Sequence, residues 1–181
     1  MTEIDFRILD FIREKLSNGF FDFVMPKLTA VGNVGFIWIF IAAAMVVSRK
    51  YRRNGLELAA GLVGCALVGN LLLKNLIARQ RPCWINDTIE LLIAVPKDYS
   101  FPSGHTMASF AAAAIILHAN KKLGIAAYIL AAVIAFSRLY LYVHFPTDVL
   151  AGAVIGTLIG IAVCVFSKKI FPQKELHDAE K

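Results

Sequence analysis

The sequence predicts an all-α integral membrane fold: a single domain built as a helical bundle of five to six transmembrane helices, preceded by an amphipathic helix. Two observations carry that class. Of the 181 residues, 58% are hydrophobic and 18% charged, whereas soluble domains sit near about 45–50% and about 25%. Mean hydropathy is +0.65, and no polar stretch is long enough to bury a core of its own. The second observation is where Lys and Arg fall, in short clusters after alternate apolar runs, as cytoplasmic loops require.

Taken in order, residues 3–17 place Ile4, Ile8, Phe11 and Ile12 on one helical stripe with charged residues opposite. That pattern predicts a helix lying on the membrane rather than crossing it. Asn18-Gly19 ends it, and residues 20–28, interrupted by Asp22, Pro26 and Lys27, lead into the first span. Spans are expected at Val31–Ser48, Leu56–Leu73, Phe101–Ala119, Leu123–Val143 and Val149–Phe166. The second contains Gly61, Gly64 and Gly69, which let helices approach closely. A sixth span arises only if residues 6–28 also cross, and Asp10, Arg13, Glu14 and Lys15 argue against that. The domain therefore divides into an amphipathic helix (1–19), a transmembrane bundle (20–166) and a cytoplasmic tail (167–181).

Arg49, Lys50, Arg52 and Arg53 follow the first span, Lys121 and Lys122 the third, and Lys168, Lys169 and Lys174 the fifth. These ends are expected in the cytoplasm, which places the 79–102 connection and the 144–148 turn together on the outer face. His118 and His177 then fall on the cytoplasmic side. The net charge of +6 is explained by loop topology, so nucleic acid is not an expected partner. Acidic residues precede the first apolar run without a basic segment, so no signal peptide is expected. The three cysteines, Cys65, Cys83 and Cys164, form neither a disulfide framework nor a metal-ligand pattern.

Three clusters fall at the outer span ends. Lys74 and Arg81 lie seven apart, two helical turns, so both are expected on one side; Pro82 disfavours helix at Arg81. Two such cations are equally the pattern of snorkelling anchors. In Phe101-Pro102-Ser103-Gly104-His105, Ser103 fits a helix N-cap, and a helix start unobstructed at Gly104 suits an anion. From Ser137 to Asp148, Arg138, His144 and Asp148 interrupt apolar sequence at a depth where charge costs about 2.5–3.5 kcal/mol. His144 and Asp148 are one turn apart, Pro146 suits the first turn of the next helix, and Asp148 capping that helix would be ordinary. Together, Lys74, Arg81 and Arg138 with two histidines and one carboxylate suit a tetrahedral phosphoryl group. His144 is then read as nucleophile, Asp148 as its orienter and Arg138 as an anion holder.

These residues carry a resemblance. Lys74 and Arg81-Pro82, then Pro102-Ser103-Gly104-His105, then Ser137-Arg138 with His144 and Asp148, resemble the three-part signature of the type 2 phosphatidic acid phosphatase (PAP2) superfamily, complete and in order across residues 74–148. The resemblance implies a PAP2-like four-helix core. It implies that His144 forms a phosphohistidine, with Asp148 hydrogen-bonded to its other ring nitrogen, and that His105 protonates the leaving lipid oxygen. It implies that Lys74, Arg81, Ser103, Gly104 and Arg138 hold the phosphate oxygens without a metal or other cofactor; one acidic residue in the constellation is too few for Mg²⁺. The chain is most similar to bacterial plasma-membrane lipid phosphatases of the phosphatidylglycerophosphate type and to undecaprenyl-pyrophosphate phosphatases, acting on the extracytoplasmic face. Some of the latter carry aspartate at the position of Gly104, which tilts the expectation toward a glycerophospholipid phosphate, phosphatidylglycerophosphate or phosphatidic acid. The bilayer and a lipid phosphate are the expected partners, with no obligate protein partner. Vanadium-dependent haloperoxidase chemistry and non-catalytic lipid-phosphate binding are the competing readings.

Overall fold

The structure, a computed structural model, describes residues 2–170. All its regular elements among these residues are helical: α1 (Thr2–Leu16), α2 (Gly19–Val31), a 3₁₀ turn (Asn33–Gly35), α3 (Phe36–Val47), α4 (Arg52–Cys65), a π-helical stretch (Ala66–Leu73) running into α5 (Lys74–Ile77), α6 (Pro82–Ile85), α7 (Gly104–Ala119), α8 (Lys121–Tyr140) and α9 (Pro146–Ile170). Most of the expected tail, including Lys174 and His177, lies outside the described residues.

By length and composition, three segments among the described residues are long and apolar enough to cross a membrane: Arg52–Ile85, Lys121–Tyr140 and Pro146–Ile170. There are four if α2 and α3, bent by 46° at the 3₁₀ turn, make one span. This is fewer than the five to six expected. The difference lies in α7, an apolar helix of 16 residues, about 24 Å long at 1.5 Å per residue. It begins at Gly104 rather than Phe101 and is the innermost helix, packed on α9, α8 and α4.

Small residues let α7 sit there. Gly152, Gly156 and Gly160 recur every four residues along α9 and face the α7 backbone. A Cβ at Gly152 would lie 2.8 Å from the Ser103 carbonyl oxygen and one at Gly160 2.7 Å from that of Ala111; at Gly156 it would fall closer still to that of Met107. Helices meeting through such a stripe gain close backbone packing. On the other side Gly61 abuts Ile115 of α7, and Gly64 abuts Ile159 of α9. The main core gathers Trp38, Leu58, Ala112, Ile115, Ala131 and Ile134, and Trp38 Nε1 donates to Ser109 Oγ at 2.9 Å.

Side-chain caps mark two helix starts: Asn18 accepts from the Phe21 N–H at 3.0 Å, and Asn120 from the Leu123 N–H at 3.1 Å. The α1 stripe differs from expectation. Ile4, Ile8 and Phe11 are exposed, while Asp5, Leu9 and Ile12 are buried. Leu9 packs with Tyr142 and Phe145, and Ile12 with Met25, Tyr140 and Val143. The helix thus docks on the α8–α9 turn with a mixed face that takes in Ile12 and leaves Ile4, Ile8 and Phe11 of the apolar stripe outward.

Candidate active site

The α8–α9 turn, residues 141–145, carries His144. Backbone bonds from Leu141, Tyr142 and Val143 back to Ser137, Leu139 and Arg138 tighten it, with Tyr142 left-handed at φ 57, and Pro146 begins α9. Asp148 sits in the first turn of α9, where its Oδ2 accepts from the Phe145 N–H at 2.9 Å. This is the back-reaching half of a capping box, so the ordinary capping role is realised. The same carboxylate faces His144, but Oδ2 stands 3.7 Å from Nδ1, too far for a hydrogen bond. Ser100 Oγ stands beside the pair, 2.5 Å from Asp148 Oδ2 and 3.4 Å from His144 Nδ1. The expected direct Asp148–His144 bond is therefore replaced by a serine-bridged arrangement.

Arg81 approaches the opposite side of the ring, with Nη1 3.1 Å from His144 Nε2. A guanidinium only donates, so Nε2 is the acceptor and Nδ1 holds the proton. Burial first, then Arg81, Arg138 and Lys74, pushes His144 well below the ordinary histidine pKa. The ring is neutral, with the Nε2 lone pair on the cation side.

Lys74 and Arg81 converge, though not as a helical face. The helix stops at Ile77, Ala78 is left-handed with φ 48 and its N–H bonds to the Lys74 carbonyl, and Arg81 is extended before Pro82. The turn brings both cations to one carboxylate, Asp98, in the 86–103 loop. Lys74 is ion-paired to it, and Arg81 Nη2 donates to Asp98 Oδ1 at 2.7 Å. Burial raises the Asp98 pKa, but Lys74 and Arg81 outweigh it and hold the group well below the usual carboxylate range. Arg81 also donates to the carbonyls of Asp98 and Val143.

Arg138 is buried and donates Nη1 to Thr29 Oγ1, while its Nε is buried with no hydrogen-bond partner among the described residues. His105 Nε2 lies 2.9 Å from Asn33 Oδ1 of the 3₁₀ turn. Lys74, Arg81, Gly104, His105, Arg138 and His144 line one cavity of about 630 Å³, whose other walls include Pro26, Ala30, Leu62 and Ala66. Ser103 and Asp148 lie behind this lining. Ser103 occupies the position before α7 without a capping side-chain bond; its N–H donates to the Asp148 carbonyl and its hydroxyl accepts from Thr106. An added Cβ at Gly104 would meet Asn70 Oδ1 at 3.0 Å.

Sequence reasoning misses Asp98, Ser100, Arg79, Asp5, Asn33 and Asn70. For Asp98 there is a usable signal, since several buried cations need an anion nearby. The others pair across long sequence separations that no local pattern announces.

Comparisons with known proteins identify the family. The PAP2 superfamily profile matches residues 54–172. An undecaprenyl-diphosphatase of Sulfolobus acidocaldarius is 33% identical over 68% of this chain and 60% of its own length, so the chain spans less than two thirds of that relative. Phosphatidylglycerophosphatase B of Bacillus subtilis is 35% identical over 83% of this chain and 78% of its own. The crystal structure of a transmembrane PAP2-type phosphatidylglycerolphosphate phosphatase from Bacillus subtilis superposes with TM-score 0.77 at 30% identity, covering 95% of this chain and 88% of that one. With the family profile over most of the chain and the fold shared along nearly all of it, the chain belongs to the PAP2 superfamily, as a membrane lipid phosphatase related to undecaprenyl-diphosphatase and phosphatidylglycerophosphatase B.

Proposed function

We propose that the chain hydrolyses the terminal phosphate of phosphatidylglycerophosphate, and of phosphatidic acid, through a phosphohistidine on His144. The observation that carries this is the convergence of Lys74, Arg81 and Arg138 on the cavity that the His144 Nε2 lone pair faces. The Arg138 Nε, without a partner among the described residues, is a donor suited to a phosphate oxygen. In the first step Nε2 bonds to phosphorus, the bond from phosphorus to the lipid oxygen breaks, and His105 gives that oxygen a proton. Water then attacks phosphorus, the N–P bond breaks, and His105 takes the water's proton. Asp148, through Ser100, holds the Nδ1 proton and faces the positive charge that the ring acquires. Ser103 and Gly104 shape the start of α7 beside the phosphate. No step calls for a metal or other cofactor.

The apolar wall formed by Pro26, Ala30, Leu62 and Ala66 supports a lipid tail leaving the cavity between α2 and α4. We read five crossings of a bacterial plasma membrane, the basic ends at 49–53, 121–122 and 168–169 cytoplasmic and the site extracytoplasmic. The docking of α1 beside the site supports an outer N-terminus.

A second substrate, undecaprenyl pyrophosphate, is favoured by the archaeal relative; the same steps would release undecaprenyl phosphate. Phosphate release from phosphatidylglycerophosphate, phosphatidic acid and undecaprenyl pyrophosphate, measured side by side in detergent, ranks the substrates. His144→Ala should abolish turnover of whichever is preferred, and full activity on all three would remove the nucleophile assignment. A binding protein without turnover would release phosphate from none.

A further inference from the structure

Helix α1 reaches the His144–Asp148 pair by a route outside the scheme above. Asp5 is 2% exposed. Its carboxylate accepts from Arg79 Nη2 at 2.8 Å, from Thr147 Oγ1 at 2.9 Å and from the Thr147 N–H at 3.2 Å. Arg79 is shared: its Nη1 donates to Asp148 Oδ1 at 2.6 Å and to Thr147 Oγ1 at 2.7 Å. The guanidinium stacks on Phe145, 4.1 Å from the ring centroid.

The geometry divides the Asp148 carboxylate between two tasks. Oδ1 is held by Arg79, and Oδ2 is thereby aimed at Ser100 and His144. The charges matter as much. His144 already faces Arg81, Arg138 and Lys74 and becomes cationic when Nε2 bonds to phosphorus. Arg79 alone would neutralise Asp148, the counter-charge on the other side of the ring. Asp5 restores it, because one cation between two carboxylates leaves one net negative charge. Arg79 in turn offsets the burial of two carboxylates, which without a partner would be strongly unfavourable.

We propose that Asp5 and Arg79 are positioning residues that act through Asp148, so that docking of the N-terminal helix completes the active site. This rests on His144 as the nucleophile. Asp5 lies outside the three motifs at residues 74–82, 102–105 and 137–148, and Arg79, although within the 74–82 stretch, is like Asp5 not among the residues lining the phosphate cavity.

The test uses the full chain in detergent with the preferred lipid phosphate, comparing Asp5→Asn, Arg79→Gln, Arg79→Lys and the double variant Asp5→Asn/Arg79→Gln. Glu3→Gln, which breaks an exposed pair with Arg7 on the same helix, is the control and should behave as wild type. Asp5→Asn and Arg79→Gln should each lower kcat about tenfold to a hundredfold, by analogy with the partners that orient metal-bound histidines from behind, with KM changed far less because neither residue lines the phosphate cavity. Arg79→Lys should recover part of the loss. The double variant should be no slower than Arg79→Gln, because the residues act as one unit. A purely structural role would instead lower the active fraction and leave kcat per folded molecule unchanged. That result, or single losses that multiply in the double variant, overturns the proposal. His144→Ala separates the two ideas: if it is inactive while Asp5→Asn and Arg79→Gln turn over normally, only the relay falls; if it is active, the nucleophile assignment falls.

Discussion

Ser100 and Asp148 are joined at 2.5 Å, Oγ to Oδ2, beside an Asp148–His144 pair that stands 3.7 Å apart. The hydroxyl donates to the carboxylate and leaves its own oxygen 3.4 Å from Nδ1. A carboxylate that orients a histidine normally bonds it directly, and here a serine relays the contact. Removing the relay should let Oδ2 close the 3.7 Å gap. Ser100→Ala is therefore expected to keep kcat within about tenfold of wild type. Asp148→Asn, which places an amide among the donors Arg79, Ser100 and the Phe145 N–H, should lose about a hundredfold or more. Steady-state kinetics of the pair checks the order, and Ser100→Ala as damaging as Asp148→Asn would make the serine an essential partner.

The depressed pKa of His144 has consequences of definite sign. Burial and the cations Arg81, Arg138 and Lys74 hold the folded value well below 6.5. Between the two values the unfolded chain binds a proton that the folded one does not, so stability falls as pH drops below 6.5. Attack requires the free lone pair, so protonation of His144 should not limit the rate until far lower pH. In ¹⁵N-labelled protein, the His144 ring resonances should remain those of a neutral imidazole as pH is lowered through 6.5, while the melting temperature declines. Half-protonation at or above that pH would contradict the electrostatic picture.

Asp98 competes for the cations assigned to the substrate. Its side chain is 55% exposed, so it is free to leave, and its depressed pKa keeps it anionic at any working pH. On the proposed assignment of Lys74 and Arg81 to the substrate, an arriving phosphate displaces Asp98 from both. Asp98→Ala should therefore tighten competitive inhibition by inorganic phosphate several-fold, each tenfold corresponding to about 1.4 kcal/mol, and lower KM in parallel. A rise in both constants would mean that Asp98 organises the cations rather than competing for them.

Much of the site is legible in the sequence because its residues sit at span ends, where charge in apolar sequence stands out. Lys74, Arg81, Arg138, His105 and His144 all reach the cavity. Pairing across distance is what a linear reading cannot convey. Asp98 is 24 residues from Lys74, and Asp5 and Arg79 are 74 apart. The docked face of α1 departs from its apolar stripe for a physical reason. Where the surroundings are themselves apolar, hydrophobicity no longer separates inside from outside. Ile4, Ile8 and Phe11 can remain exposed, and the polar Asp5 marks the docked side because only there does it find Arg79. The count by helix length falls below the expected five because α7 is only 16 residues long; its alanine-rich sequence reads like a lipid-facing span, whereas Ala111 to Ile116 are buried against neighbouring helices.

The α7–α9 contact gives the fold a sharp test independent of chemistry. A Cβ at Gly156 would overlap the Met107 carbonyl oxygen and fall 3.0 Å from its Cα, a clash with helix backbone that no side-chain rotation relieves. The helices would have to separate, and α7 and α9 carry His105 and Asp148 at their site-facing starts. Gly156→Ala should cost about 1–3 kcal/mol or more, the range for overpacking a tight core, and lower kcat as the two starts move apart. Gly19, also helical, has open space where a Cβ would go, with no atom within 4 Å. Gly19→Ala should leave the melting temperature unchanged or slightly raised, since alanine favours helix by up to about 1 kcal/mol. Thermal melts of both variants in the same detergent decide it: equal melting temperatures would mean that the glycine stripe does not set the spacing of the bundle.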